Sequence, residues 1–471
     1  VKSLQKNLPA TARRRKGEQR KNFAGAVLLG CCALIFGNVG AWAQSNVDAE
    51  QNPAVSEISS APPIARIFVA GNRRTKTQII LREMKTQVGD TVDIATLLAD
   101  QKRILNLGLF NRVEIDSLHE ADGVHILIGV TERLYLFPFP IFFINDKDWS
   151  KASYGAGVVH TNFRGRNEVV AISGWAGYNP AFAIDYSNPW LFGSAQMLTR
   201  FRFSAQRVRN RSFASLGQKV DEHRIGAGWS IGKRFGLFTY LSLSLGYTEL
   251  KLEPAVKGKT LDPAGRDRLP SAGLSFVYDQ RDLFEYPRSG VYVRLWGLRT
   301  GFDSEYVHFW RYGADLRGYK KIYRGLSLGS RVMTDLSHDK IPIYERVFLG
   351  YSNRARGHFT RAEDKDEGEN LALASVELRF PILPWRYFSV SDMPMFGAYM
   401  QNMKFGVSAG IFADYGRVWF QNNTRPRFAD GQRGYGAGLH FHLPYINLLR
   451  LELAFDEDGR SEWIADIGVA F

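Results

Sequence analysis

From about Tyr135 to Phe471 the chain repeats one pattern: every second residue is aliphatic or aromatic, and those between are charged, small or polar. Leu241, Leu243, Leu245 and Tyr247 share one face of such a segment, and Ser242, Ser244 and Gly246 the other. Phe201 and Phe203 oppose Arg200 and Arg202; Leu449, Leu451, Leu453 and Phe455 oppose Arg450, Glu452 and Ala454. A period of two is the signature of a strand. A soluble sandwich would bury its apolar face. Here charge recurs on one face in segment after segment, the pattern of a wet interior and a lipid-facing exterior. No apolar stretch of about 18 residues follows residue 44, so a membrane location requires a closed barrel rather than helices.

About sixteen strands are expected. They begin near Leu136, Ser153, Asn167, Ala181, Gln196, Glu222, Gly236 and Asp267. The second eight begin near Arg288, Ser304, Tyr323, Asn370, Lys404, Gly431, Ile446 and Arg460. Trp175, Tyr178, Trp190, Tyr240, Trp296 and Trp419 cluster near strand ends, as interfacial girdles do.

The start of the chain is of another kind. Basic residues end at Lys21, an apolar run covers Phe23 to Phe36, and Ala41-Trp42-Ala43 offers a small-x-small cleavage site. Residues 1–43 therefore read as a secretory signal peptide. Leu28-Leu29-Gly30-Cys31 also resembles a lipoprotein processing site, but the apolar run continues past Cys31 and a small-x-small site follows, which favours cleavage after Ala43. Both cysteines, Cys31 and Cys32, fall inside this segment, so the remainder has no thiol. The formal charge of +14 falls to +7 without residues 1–43, too weak an excess to argue for nucleic acid. Residues 44–63 are polar, proline-containing and linker-like.

Residues 64–134 read as a small α/β domain of order β-α-α-β-β. Ile64, Ile67 and Val69 give a strand and Gly71-Asn72 a turn. Thr75 is expected to cap a helix running to Lys85, and Asp93 a second one carrying Leu97, Leu98, Ile104 and Leu105. Arg112 to Asp116 and Val124 to Val130 follow as strands around an Asp122-Gly123 turn. The Gly71-Asn72 turn, Gly89 between the helices, and Leu107-Gly108-Leu109-Phe110 leading to Val113 resemble the polypeptide-transport-associated (POTRA) domain. One copy is present, where relatives carry several.

A long polar loop, residues 337–369, interrupts the alternation and holds Arg356-Gly357. Loops longer than about 15 residues are usually functional or disordered. Alone, the dipeptide reads as an ordinary turn. Glu377 and Asp414, on the strands that follow, give it a second reading: an arginine fork held inside by carboxylates. Glu363, Asp364, Asp366, Glu367 and Glu369 in the same loop read as a solvated acidic tip or as a divalent-cation site.

Residues 135–471 resemble the BamA/TamA/Sam-type outer-membrane protein assembly family, a POTRA-bearing bacterial surface antigen barrel. The matching residues are Ala355-Arg356-Gly357-His358-Phe359, Val376-Glu377-Leu378-Arg379-Phe380-Pro381 and Phe412-Ala413-Asp414-Tyr415-Gly416. His358 stands where the family has Phe or Tyr, with Phe359 beside it. The resemblance implies an α+β POTRA domain followed by a transmembrane antiparallel β-barrel of about sixteen strands. It also implies a lumenal loop lock in which Arg356, Gly357, His358 and Phe359 face Glu377, Arg379, Phe412, Asp414 and Gly416. Ile467, Gly468 and Phe471 end the chain in a glycine-then-aromatic pattern, read as a weak seam between first and last strands or as rim packing. Pro384 to Met403, an aromatic-rich turn, reads as a membrane or client contact or as part of the girdle.

There is no Gly-x-Ser-x-Gly elbow, His-Glu-x-x-His pair or phosphate loop, so no enzyme and no cofactor are expected. Asp279-Gln280-Arg281-Asp282 reads as lumenal ion pairing. The implied function is an outer-membrane assembly factor that takes unfolded outer-membrane clients by β-augmentation and inserts them through a lateral seam. Its partners would be those clients, outer-membrane lipids and accessory lipoproteins. A two-partner-type secretion translocator is the alternative, and a passive porin leaves the POTRA-like domain unexplained.

Overall fold

A computed structural model describes residues 62–144, 149–209, 220–254, 259–302, 306–350, 355–358, 367–390, 397–422 and 430–471. The leader, most of the linker, Phe359 and the acidic residues Glu363, Asp364 and Asp366 lie outside the described residues.

The first unit is β1 (Ile64–Ala70), α1 (Thr77–Leu81), α2 (Ile94–Asn106), β2 (Phe110–Glu120) and β3 (Gly123–Glu132). Its sheet has the order β1-β3-β2, with β1 parallel and β2 antiparallel to β3. Ile79 and Ile80 of α1, Leu97 and Ile104 of α2, and Ile126 and Ile128 of β3 meet in one buried core that also takes in Tyr135. Asp93 caps α2, accepting from the N–H groups of Ala95 and Thr96 at 3.1 Å each. Gly71 has φ +90°, and a Cβ there would sit 2.0 Å from the Val130 carbonyl oxygen, so only glycine lets the turn pass β3.

The expected helix from Thr75 to Lys85 is only five residues long, and Thr75 does not cap it. Its N–H donates to Glu132 Oε1 at 2.7 Å, and its Oγ1 lies 2.9 Å from Tyr135 Oη. Oγ1 also accepts from Asn162 Nδ2 at 2.9 Å. Tertiary hydrogen bonds have taken the side chain that a local cap would use.

The second unit starts with β4 (Leu136–Ile144), β5 (Ala152–Phe163), β6 (Glu168–Gly177) and β7 (Ala181–Leu191). β8 (Met197–Arg209), β9 (Asp221–Arg234), β10 (Thr239–Glu253) and β11 (Arg266–Asp279) follow. Then come β12 (Gly290–Thr300), β13 (Phe309–Tyr323) and β14 (Leu326–His338). The loop holds the two-residue strands β15 (Val347–Phe348) and β16 (Glu367–Gly368), paired with each other. β17 (Asn370–Phe388), β18 (Met403–Trp419), β19 (Gln432–Leu443), β20 (Asn447–Asp456) and β21 (Ser461–Ile467) complete it. β15 and β16 apart, these strands form one sixteen-stranded antiparallel sheet in chain order. Leu241, Leu243, Leu245 and Tyr247 are exposed on its outer face, while Ser242 between them is buried.

The expected closed barrel is not formed. β4 and β21 are the two ends of the sheet and are not hydrogen-bonded to each other. Local chemistry explains both free edges. Pro138 and Pro140 in β4 have no N–H to donate, yet β4 pairs with β5 along its full nine residues, so the missing donors belong to the outer edge. β21 stops after seven residues, where Gly468 takes φ +89° and turns the chain out of the ladder. The sheet still curls. Phe137 on β4 meets Tyr445, in the turn between β19 and β20, edge to face at 5.5 Å.

The small domain packs against the turns at one end of this sheet. Asn106 on α2 donates to the Asp282 carbonyl at 3.1 Å and accepts from the Phe284 N–H at 2.9 Å. Asn111 donates to the carbonyls of Tyr399 and Gln401 at 3.0 and 2.9 Å. Arg82 lies over Trp190, Arg112 over Tyr387 and Arg133 over Tyr445, each within 5.2 Å of the ring centre. The segment from Pro384 to Met403 is thus partly strand, and its turn, among the described residues, docks on the domain. Asn402 Nδ2 also reaches Thr131 Oγ1 at 2.9 Å.

Candidate functional site

The loop after β14 enters the concave side of the sheet. Ile341, Ile343 and Tyr344 pack with Leu250, Leu269 and Phe309, from strands β10, β11 and β13. Arg224 Nη2 donates to the Tyr344 carbonyl at 3.0 Å, and Tyr344 Oη donates to Asp267. Leu349 fills the space over Gly416, where a Cβ would lie 2.6 Å from its Cδ1. Gly416 therefore makes room for Leu349 of the loop.

Arg356 of the loop donates five hydrogen bonds. Its N–H donates to Asp414 Oδ2 at 3.0 Å, its Nε to the same oxygen at 2.7 Å and its Nη2 to Oδ1 at 3.0 Å. Nη1 donates to Glu377 Oε2 at 2.6 Å and to Glu452 Oε1 at 3.0 Å. The Phe412 ring lies under the guanidinium, 3.5 Å from its carbon. Three acids on β17, β18 and β20 converge on one planar fork, a geometry that lysine cannot reproduce. Two glycines allow the approach. Gly357 has φ +100°, and a Cβ on Gly434 would sit 1.6 Å from the Arg356 carbonyl oxygen.

The network runs on in two directions. Glu377 Oε1 accepts from Arg379 Nε at 2.6 Å, and Arg379 Nη1 donates to the Pro287 carbonyl at 3.2 Å. Glu452 Oε2 accepts from Arg450 Nη1 at 2.9 Å. Arg450 in turn donates to Asp466 Oδ2 at 3.0 Å and to the Gly468 carbonyl at 2.6 Å. An unbroken chain of charge-assisted bonds thus joins the loop to the end of β21. Ile467, the last residue of β21, is exposed. Phe471 turns inward, buried, stacking on Tyr319 at 6.4 Å with Arg379 over its ring at 5.3 Å.

His358 is buried, with Nε2 3.0 Å from the Arg433 carbonyl and 2.9 Å from Glu457 Oε2. Burial works against a charged ring, but the Glu457 and Arg433 contacts outweigh it and lift the His358 pKa above its ordinary value. Glu457, in the turn after β20, is held down to about 2: its own burial opposes that, and the His358 bond and nearby backbone donors prevail.

Glu452 and Arg450 were visible in the sequence as inward residues of one strand, but alternation gives a residue's face and not its height along the sheet. His440 carried no signal. Its Nδ1 lies 2.9 Å from Tyr286 Oη and its Nε2 3.5 Å from Glu452. Ligand atoms of Glu377, His440 and Glu452 lie within 4.8 Å of one another, the spacing of a metal cluster, but Nη1 of Arg356 already bonds both carboxylates. In the loop's acidic stretch, Glu367 pairs with Arg346 at 2.7 Å, and Glu369 accepts from the Gln421 N–H at 2.9 Å. Arg281 pairs with Asp279 at 2.7 Å.

Comparison with known proteins follows the same division. An Omp85 superfamily domain model matches residues 162–471, and a POTRA model, the surface antigen variable number repeat, matches 62–133. The outer membrane protein assembly factor BamA of Neorickettsia risticii is 22% identical over 417 residues, covering 83% of this chain and 52% of its own length. BamA of Nitratidesulfovibrio vulgaris is 19% identical over 341 residues, covering 67% and 41%. The chain thus spans about half the length of these curated relatives or less. The crystal structure of BamA from Haemophilus ducreyi lacking POTRA domains 1-3 superimposes with a TM-score of 0.51 at 18% identity, covering 86% of this chain and 83% of that one. That likeness is one of fold. The chain belongs to the Omp85 superfamily, and its place is the outer membrane, with the POTRA domain on the periplasmic side.

Proposed function

We propose that this protein assembles outer-membrane β-proteins, using the unpaired edges of β4 and β21 as templates for client strands. The observation that carries this reading is the pair of free edges at the ends of a sheet whose internal neighbours are all hydrogen-bonded. A free edge presents backbone donors and acceptors that pair with any incoming strand. Prolines in β4 and the glycine after β21 weaken edge-to-edge closure, so a client hairpin competes against little. The POTRA sheet supplies an earlier station: β2 is an eleven-residue edge strand, suited to β-augmentation by an unfolded client. No nucleotide is required, since client folding in the bilayer supplies the free energy.

In this reading the Arg356 network is a lock. It holds the loop, and through Arg450 the last strand, in one place while the seam stays unpaired. Phe412 carries the guanidinium, Arg379 orients Glu377, and Gly357 lets the backbone turn. His358 ties the loop to Glu457, at the entrance to β21. Ile467 and Gly468 end the templating edge, and Phe471 anchors the tail inside.

The test is a cysteine pair, one in Leu136–Ile144 and one in Ser461–Ile467, in the full chain reconstituted into vesicles. Oxidation is expected to stop insertion of an outer-membrane β-protein, scored by its heat-modifiable gel mobility, and reduction to restore it. Insertion at an unchanged rate in the cross-linked protein rules out the templating edges.

A further inference from the structure

A cavity of about 460 Å³ opens where the POTRA domain meets the sheet. Its size lies in the range of small-molecule sites, about 300–1,000 Å³. Its apolar walls come from Leu283, Tyr286, Leu383 and Trp385, with Pro381 and Pro384 between them. The strand here is irregular: the β17–β18 register shifts between Pro381 and Leu383 and again between Leu383 and Arg386.

The mouth of the cavity is cationic. Lys102 on α2 and Lys321 beside the β13–β14 turn each place Nζ 3.9 Å from Asp282 Oδ2, and Arg288 lines the same wall. Among the described residues Asp282 is the one carboxylate at this mouth, and its Oδ1 is held by the N–H groups of Leu283, Arg288 and Ser289 at 2.9–3.1 Å, which leaves Oδ2 to face the lysines. Lys102 and Lys321 therefore share one carboxylate, with the Arg288 side chain a third cation on the same wall. Burial, then the nearby charges of Lys321 and Arg288, depress the Lys102 ammonium below its ordinary value despite Asp282. On the wall, Ser327 is 2% exposed, and its Oγ has no hydrogen-bond partner.

We propose that this cavity binds an anionic phospholipid, its phosphate held by Lys102, Lys321 and Arg288 and an acyl chain lying along Leu383 and Trp385. Charge selects the head: an anion relieves the crowding of three cations. The walls select hydrocarbon over polypeptide. A peptide must satisfy its own carbonyls, and Pro381 and Pro384 have no N–H to offer. The Ser327 hydroxyl is a donor for a glycerol-ester oxygen. Lys102 belongs to the domain and Lys321 and Arg288 to the sheet, so occupancy clamps the two units together. The site couples domain position to occupancy by an anionic lipid.

The test uses the full chain in a neutral maltoside detergent, with bound lipid counted by native mass spectrometry. One phosphatidylglycerol is expected to be retained at least tenfold more tightly than phosphatidylcholine, whose phosphate is masked by its own cation. Lys321→Gln with Arg288→Gln is expected to lower retention at least tenfold, and Leu383→Trp, which fills the cavity without altering charge, to do the same. Lys321 is half exposed, so Lys321→Gln alone keeps the test alive if the cavity-filling variant misfolds; heat-modifiable mobility reports that. Hydrogen exchange in Ile94–Asn106 is expected to slow when phosphatidylglycerol binds. Equal retention of the two lipids, or unaltered retention in Lys321→Gln/Arg288→Gln, overturns the site. Displacement of the lipid by inorganic phosphate at equal concentration overturns the acyl groove, and unchanged exchange in α2 overturns the clamp.

Discussion

Nε and Nη2 of Arg356 meet the two oxygens of Asp414 at 2.7 and 3.0 Å, two parallel bonds between a loop and the strand β18. The third guanidinium nitrogen reaches Glu377 and Glu452 on β17 and β20. The loop is therefore referenced to three strands through one side chain. All four side chains are at most 4% exposed, so no group in the cluster falls back on bulk water if another is removed.

Arg356→Ala leaves three buried carboxylates without their shared cation. Breaking a buried ion pair from one side costs about 3–5 kcal/mol. The variant is expected to lose its compact, heat-modifiable gel form at a clearly lower temperature than the parent. Arg356→Lys is expected to recover little, because a point charge cannot make the parallel pair on Asp414 and still reach Glu377. A melting profile for Arg356→Lys matching the parent would show that charge alone suffices.

The same lock can be broken without touching a charge. A Cβ on Gly434 would lie 1.6 Å from the Arg356 carbonyl oxygen, so Gly434→Ala must push the loop backbone away. Gly434→Ala is expected to destabilise the fold about as much as Arg356→Ala, and the double variant to be hardly worse than either. Residues sharing one network couple by about 0.5–3 kcal/mol. Simple additivity in the double variant would mean that the two act on different parts of the molecule.

The His358–Glu457 contact gives the loop a pH dependence with a definite sign. His358 has a raised folded pKa, so its contribution is complete below the unfolded value, about 6.5, and is lost as pH rises through the higher folded value. Glu457 is held down to about 2, so its contribution is present above the unfolded value and fades as pH falls toward 2. The groups facing the imidazole are the Glu457 carboxylate, the Arg433 carbonyl and, further off, Asp456. The clasp is expected to be firmest from about pH 4.5 to 6.5 and to loosen above that. His358→Phe is expected to flatten the alkaline limb when loop proteolysis is followed against pH. An identical limb in that variant would assign the pH dependence to another group.

The strands were legible because alternation is local: each side chain declares its face within two residues. β13 begins at Phe309, five residues after the expected Ser304, because nothing local marks where pairing starts. Closure was not legible in this way. It depends on whether β4 and β21 pair, and that turns on Pro138, Pro140 and Gly468, whose effect is felt only where two distant segments meet. Glu452 was missed for a related reason, since which inward residues share a level depends on the stagger of neighbouring strands. Thr75 carried a true capping signal that Glu132, Tyr135 and Asn162 overrode from elsewhere in the chain. Local chemistry is read directly; competition between local and distant partners is not.

Asn106 offers the cleanest handle on how the POTRA domain is seated. Its side-chain amide both donates to the Asp282 carbonyl and accepts from the Phe284 N–H, two bonds across the junction from one residue. Each is worth roughly 0.5–1.5 kcal/mol, so Asn106→Ala should shift the docked population by about 5- to 150-fold while leaving both units folded. Asn106 ends α2 and lies outside the domain core, so its loss creates no core cavity. The expected readout is faster hydrogen exchange in Leu283–Glu285 and in the last turn of α2, with exchange in β17 and β18 unchanged. Faster exchange throughout the sheet would mean that the domain supports the sheet itself, and unchanged exchange everywhere would mean that the other junction contacts, the Asn111 and Asn402 bonds and the ring contacts of Arg82, Arg112 and Arg133, hold it without Asn106.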